Sequence, residues 1–345
     1  KVTKQLTRNK YVERLKFMRQ SRKQKVEPTF YLHRCFRVKK RIIILLVTLM
    51  LLFFNGTISA KASSPITFQD DLGRTLILEK PKRVAALIGS FADIWCLAGG
   101  KDTLVATAND AWTEFDLDLD NSVIKLGTTT TLSMDMLLAS EPDLVLASCN
   151  TSGNLQLQEA LENLRIPVAY FRVSTFEDYL RMLSICTELC DRPENFQIYG
   201  LNVQQDVEKA KKRVDGSQPT VLYIRASGSQ CKVKNSQNSV LGEMLQSLGC
   251  RNIADSDSTL LENLNLEAIV MKDPDYIFAV LQGKESEKAQ QRLKETLLNH
   301  PAWQSLSAVQ NGRFYLMDYH LYNLKPNARW GEAYEKLSAI LYPEK

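Results

Sequence analysis

At 345 residues with 44% apolar content, the chain has the mass for two lobes with real cores or for one large domain. Its formal charge of +5 is unevenly placed: residues 1–41 hold 15 Lys and Arg against Glu13 and Glu27, which leaves 29 basic and 37 acidic residues, net −8, in the remainder. An acidic remainder argues against the basic footprint of a nucleic-acid-binding protein.

The charge split has its boundary at Lys39-Lys40-Arg41, which leads into a 13-residue apolar run, Ile42 to Phe54, followed by a polar stretch that ends Ala60-Lys61-Ala62. This is the basic, apolar and A-x-A layout of a secretory signal. As a helix the run would span about 20 Å, short of a hydrocarbon core of roughly 30 Å. The reading is a basic segment over 1–41, a signal peptide over 42–62 and an exported chain starting near Ser63, with an uncleaved anchor helix as the alternative. Cys35 precedes the apolar run, and no Cys follows it where a bacterial lipoprotein needs one. Six cysteines remain (96, 149, 186, 190, 231 and 250), without C-x-x-C or zinc spacing, and are read mainly as small apolar residues.

Residues 66–80 predict a hairpin around Asp71-Leu72-Gly73-Arg74. A strand over Arg83–Ile88, a helix over Phe91–Leu97 closed by Gly99-Gly100, and a strand over 103–108 follow. The segment "LSMDMLLASEPDLVLA" (132–147) predicts a short helix, a break at Pro142 and a buried strand. Next come an amphipathic helix over 154–166, a strand over 167–173 and a helix over 175–191. Alternating strands and helices indicate an α/β lobe over 63–191 with a mostly parallel sheet. A long polar helix over 192–214, with Pro193 in its first turn, leads to a second α/β series over 215–345. Its elements are a strand over Val221–Arg225, a helix over Val240–Leu248, a helix–strand unit over 264–281, a helix over Glu285–Leu298, a strand over Arg313–Asp318 and a helix over Asn327–Leu341.

The unit "LNLEAIVMKDPDYIFA" (264–279) repeats 132–147 at an offset of 132 residues, with Asp135 matched by Glu267 and Pro142-Asp143 by Pro274-Asp275. That offset far exceeds solenoid periods and marks two related lobes. The fold class is therefore α/β, two Rossmann-like lobes joined by one long helix, with a ligand cleft between them. Such a stiff connection implies a small closure on binding rather than a wide hinge.

With "DDLGRTLILEKPKRVAAL", "PDLVLA", "LENLRIPVAYFRVSTFEDYL", "LNLEAIVMKDPDYIFA", "HPAWQSLSAVQNGRFYLMD" and a closing "LKPNARWGEAYEKLSAILYP" in this order, the chain over about 66–343 resembles the substrate-binding proteins of bacterial ABC importers for ferric siderophores, cobalamin and haem. The resemblance implies an extracytoplasmic monomeric receptor with no cofactor of its own. It would bind an iron(III) chelate or a tetrapyrrole and deliver it to a permease and its ATPase. It also implies that one acid per lobe docks on a permease arginine, here Asp135 and Glu267, Asp135 being one methylene shorter than the usual Glu. Each acid taken alone is equally accounted for by the helix dipole, worth about 0.3–1 kcal/mol.

Ligand residues are expected on loops at strand ends. Those of the first lobe are Ser90, Phe91, Trp112, Asn150 and Arg172; those of the second are Arg225, Lys232, Lys234, Tyr319, His320, Tyr322, Arg329 and Trp330. Aromatic faces suit a ring-rich ligand, and Arg or Lys neutralises an anionic chelate. Arg329 has a second reading, pairing with a nearby acid to fix the last helix. His320 with Met134 or Met136 would supply an axial pair if the ligand is haem, whereas His300, in a turn, is read as structural. The two histidines after residue 62 are too few for a bare-metal receptor built on several imidazoles. An anchored ligand sensor and a chelatase-like enzyme share the expected fold, but the chain has no G-x-S-x-G, G-x-x-x-x-G-K-[ST] or H-E-x-x-H motif.

Overall fold

Alternate residues of each central strand enter different cores, and this sorting builds the molecule. The computed structural model describes residues 64–262, 264–283 and 286–344; the signal and anchor readings over 1–62 lie outside the described residues. The first hairpin pairs Ile66–Gln69 (β1) with Thr75–Leu78 (β2). In the N-terminal lobe Val84–Ala86 (β3), Leu104–Thr107 (β4), Ile124–Lys125 (β5), Leu144–Ser148 (β8) and Val168–Phe171 (β9) form one parallel sheet in the order β5-β4-β3-β8-β9. Gly127–Thr128 (β6) and Thr131–Leu132 (β7) make a separate small hairpin. In the C-terminal lobe Thr220–Ala226 (β10), Cys231–Lys234 (β11), Tyr276–Leu281 (β13) and Phe314–Met317 (β14) run β11-β10-β13-β14, and Arg251–Asn252 (β12) pairs with β10. The near-continuous apolar runs of β8 and β13 follow from burial on both faces of a parallel sheet.

Val84 and Ala86 point into a core shared by both lobes, together with Val221, Tyr223, Phe278 and Trp330. Ala85, Leu87, Val145 and Tyr170 fill an outer core of the first lobe, and Leu222, Ile224, Ile277 and Trp303 fill one of the second.

The repeated unit has the same geometry in each lobe. Ser133 caps the helix Met134–Ala139 through the Met136 amide, and Asn265 caps Leu266–Lys272 through the Ala268 amide. The aspartate after each proline then reaches the start of the neighbouring parallel strand. Asp143 accepts from the Lys82 and Arg83 amides at 2.8 and 2.9 Å. Asp275 accepts from the Thr220 amide at 2.8 Å and its hydroxyl at 2.7 Å. The repeated Pro-Asp is thus a clip that sets where β8 begins against β3 and where β13 begins against β10.

The long polar segment is helical from Pro193 to Lys211, with a π-turn over Gln197–Leu201. It buries Val203, Val207 and Ala210 at helical spacing against the terminal helix Trp330–Leu341. Arg213 holds the far end, bonding Glu335 at 2.6 Å and Glu344 at 3.1 Å.

Two expectations change. The helix expected over 154–166 is two short ones, Ser152–Leu155 and Gln158–Asn163. The Asn154 carbonyl is shared by the Tyr170 hydroxyl at 2.9 Å and the Leu157 amide, which tightens the chain between them. The helix expected over Glu285–Leu298 is α-helical over Ser286–Leu293 and continues as a π-turn over Lys294–Leu298.

The two helices that bind the lobes together meet at Gly331, where a β-carbon would lie 2.6 Å from Asp206 Cβ. Gly331→Ala is expected to lower the unfolding free energy by about 1–3 kcal/mol in urea denaturation, because one helix must shift to admit a single methyl group.

Candidate functional site

The strands of both sheets direct their carboxyl ends into one crevice, the place where open α/β sheets bind ligands. After β3 come Ile88 and Ser90; after β4, Asn109 and Asp110; after β8, Thr151; after β13, Gln282; after β14, Tyr319. With Thr113, Glu114, Phe115, Thr128, Thr129 and Asn323 to Lys325, these enclose a cavity of about 330 Å³ between the lobes. At its floor the helix Gly89–Leu97 begins. Gly89 is required there, since a β-carbon would fall 2.5 Å from the Ala111 amide nitrogen, and its own N–H donates to Asp110 Oδ1 at 2.9 Å.

Charge is divided between the walls. Asp110 and Glu114 stand on the first lobe; Lys325, and beyond Gln282 the group Arg225, Lys232 and Lys234, stand on the second. That basic group lines a side pocket of about 240 Å³ that shares Gln282 with the main cavity. Burial raises the Asp110 carboxyl above its ordinary range, against the Gly89 bond and the Lys325 charge. Burial pushes the Lys325 ammonium down to about 8, with Arg225 adding to the shift and Asp110 opposing it. Its Nζ lies 5.8 Å from the Phe91 ring centroid. Lys234 is lowered by burial first, then by the charges of Arg225 and Lys232. The Arg225 guanidinium donates to Tyr223 Oη at 3.1 Å.

At the mouth, Glu114, Leu316, Met317, Tyr319 and His320 line a second hollow of about 330 Å³. His320 Nε2 stands 3.9 Å from Glu114 Oε2, one of the contacts made across the cleft. Beneath the cavity the buried Asn327, in the left-handed region at φ 52°, donates through Nδ2 to the Ser90 carbonyl at 2.9 Å and to Asp93 Oδ2 at 2.8 Å. Among the described residues no three His, Cys, Asp or Glu side chains converge to hold a metal ion.

The residues expected from sequence divide into three groups. Ser90, Arg225, Lys232, Lys234, Tyr319 and His320 line the cleft or its adjoining hollows. Trp112, Asn150, Arg172 and Arg329 line none of these. Trp112 faces a separate surface hollow with Asp116, Asp118 and Asp120, and Lys125 lies over its ring at 4.8 Å. Asn150 Nδ2 donates to Ser174 Oγ at 2.9 Å, and the next residue, Thr151, faces the cavity instead. The Arg172 amide is held by Asp71 Oδ2 at 2.5 Å. Arg329 pairs with Glu332 at 2.7 Å at the start of the last helix, its second reading.

Phe91, Tyr322 and Trp330 form the third group, and here the structure corrects the sequence: all three side chains are buried in the shared core. Phe91 packs edge-on to Phe171, Trp330 packs against Phe176 and Tyr334, and the Tyr322 hydroxyl donates to the Ala333 carbonyl at 3.0 Å. Aromatics beside loops at strand ends were enough to nominate them, but helical phase turns them inward. Met134 packs on the outer core of the first lobe and Met136 is exposed, so neither faces His320 across the cavity. Asp135 and Glu267 are both exposed, each at the second position of its short helix. Sequence reasoning missed Asp110, Glu114, Gln282 and Lys325. Lys325 immediately precedes Pro326, which disfavours helical backbone there and marks a break in the chain, a signal that was present.

The sequence profile described as periplasmic binding protein matches residues 84–321. YhfQ of Bacillus subtilis, provisionally named an ABC transporter substrate-binding lipoprotein, is 21% identical over 305 residues, 83% of this chain and 93% of that one. The Fe(3+)-citrate-binding protein YfmC of the same organism is 24% identical over 273 residues, 76% of this chain and 82% of that one. Among solved structures, a periplasmic haem-binding protein from Pseudomonas aeruginosa superposes with a TM-score of 0.62 at 20% identity, covering 76% of this chain and 94% of that one.

Lys325 gives the site a measurable signature. Its ammonium is depressed from 10.5 to about 8, so the folded state binds this proton less tightly than the unfolded state. The resulting penalty is present in full below pH 8 and is relieved as pH rises from 8 towards 10.5. Lys325→Met is therefore expected to raise the melting temperature at neutral pH, and the difference from the parent protein should shrink as pH is raised through that window.

Proposed function

The chain belongs to the periplasmic binding protein family, and on that premise we propose that it is an extracytoplasmic receptor that binds an anionic iron(III) chelate in the inter-lobe cleft and delivers it to an ABC importer. One observation carries the ligand class: Arg225, Lys232 and Lys234 line one side pocket of the cleft, and among the described residues none of the three has a carboxylate within ion-pair distance. Lys234 is partly withdrawn from water beside the other two, and clustered cations without a counter-ion are costly unless an anion completes them. The relative named for Fe(3+)-citrate binding supports this class. Haem and cobalamin are the alternatives within the family, and His320 at the mouth is the one cleft imidazole open to a haem iron.

The reading is of a receptor rather than an enzyme, so the bound chelate should be recovered unchanged. It acts outside the cytoplasmic membrane, and mass spectrometry of the mature N-terminus distinguishes a released receptor from one held by an uncleaved 42–54 segment. The permease engages both lobes at once through Asp135 and Glu267. Their helices also expose methionines, Met136 at 44% and Met271 at 87%, adaptable apolar contacts for a partner surface.

Titration of the purified protein with ferric citrate, ferric siderophores, cobalamin and haem is expected to give saturable binding to a ferric chelate, and Arg225→Gln to weaken it about tenfold, the worth of one charge-assisted contact. Absence of binding to every ferric chelate overturns the ligand class. Asp135→Ala combined with Glu267→Ala is expected to abolish uptake in cells with chelate affinity in solution unchanged; a fall in affinity instead would place these acids in the fold or the cleft.

A further inference from the structure

We infer that the cleft is built for a chelate with unlike ends: an anionic, carboxylate-rich end held by Arg225, Lys232 and Lys234, and an ammonium-bearing end held by Glu114. This rests on the receptor reading above and specifies what its ligand must carry.

The basic end is built by strand register. Arg225 on β10 stands directly opposite Lys232 on β11, and Lys234 stands opposite Tyr223, two residues along the same face. Like charges placed opposite one another destabilise a ladder. Here the pair also has a third cation beside it, and among the described residues no acid comes within ion-pair distance of any of the three. An anion in this pocket removes that repulsion. Gln282 lines both the pocket and the main cavity, so one ligand can occupy both.

The opposite end carries the opposite sign. Glu114 lines both the main cavity and the mouth hollow with its side chain only 17% exposed. Among the described residues its side-chain contacts are the Thr113 hydroxyl at 3.3 Å and His320 Nε2 at 3.9 Å, and no described Lys or Arg lies within ion-pair distance of it. Between the ends, Lys325 faces Asp110 across the floor, which leaves that stretch balanced. Tyr319 lines both the main cavity and the mouth hollow that Glu114 shares. A chelate that is anionic on every side would bring carboxylates against Glu114; one with an ammonium arm satisfies both walls in a single orientation.

Calorimetric titration at neutral pH with two probes tests this. One is ferric citrate; the other is the ferric complex of citrate carrying an ethylenediamine amide, which replaces one carboxylate by an ammonium. The parent protein is expected to bind the amine-bearing chelate about fivefold more tightly, and Glu114→Gln to reverse the order by strengthening ferric citrate and weakening the amine-bearing chelate, each about fivefold. Lys234→Gln is expected to weaken both. Glu114→Gln is isosteric, and an unchanged melting curve shows that the variant is folded. If the parent protein binds ferric citrate and Glu114→Gln moves both probes in the same direction or neither, the two-ended cleft is overturned while the receptor reading stands. If the parent protein binds no ferric chelate, the receptor reading falls and this inference falls with it.

Discussion

The separation of the two lobes is fixed by one helix lying on another, and the cleft exists because of that contact. Pro193–Lys211 and Trp330–Leu341 enclose a core that also receives Val84 and Ala86 from one sheet and Val221 and Tyr223 from the other. Pulling the lobes apart would expose part of this shared core to water, and close-packed interiors resist such partial opening. The same contact keeps Asn327 under the floor, where its side-chain amide ties the second lobe to the first turn of Gly89–Leu97. Such packing favours small rotations about this seam over wide separation of the lobes.

Rigidity of this kind makes the charge layout meaningful. On a flexible surface, Arg225, Lys232 and Lys234 would spread into solvent. Here, register in a hairpin holds them together on one face. Asp110 is likewise fixed by the Gly89 amide. The side chains of the cleft are therefore held in place by the fold, at some cost in stability, as binding sites that trade stability for function are.

Much of the fold was legible in the sequence because it rests on local signals. The twin Pro-Asp steps announced two related lobes, and their aspartates proved to be the clips that set strand register. Pro193 and the long polar stretch announced the connecting helix. The cleft was legible only in part. Ser90 and Tyr319 follow strands directly and obey that rule, whereas Lys325 acquires its character from burial, which depends on distant parts of the chain. Phe91, Tyr322 and Trp330 show the converse failure: chemistry suited to a flat ligand is equally suited to a core, and only packing decides between them. The strand β11 was hidden because Cys231-Lys232-Val233-Lys234 alternates polar and apolar residues over too few positions to stand out from a loop.

The small hairpin at the start of the described chain has a consequence for how the protein behaves at high concentration. β9 ends the first sheet and would present unpaired backbone groups to any passing strand. The Asp70-Asp71 turn occupies them instead: the Asp71 amide donates to the Tyr170 carbonyl, Asp70 accepts from the Tyr170 amide, and Asp71 accepts from the Arg172 amide. Arg74 locks the turn by bonding Asp70 at 2.6 Å, and Arg181 holds Asp71 from the following helix. The turn is a plug made of side chains and a single amide, so it blocks the sheet without extending it. A chain trimmed past this turn would expose an edge open to pairing with its own copies, so the hairpin guards against edge-to-edge aggregation.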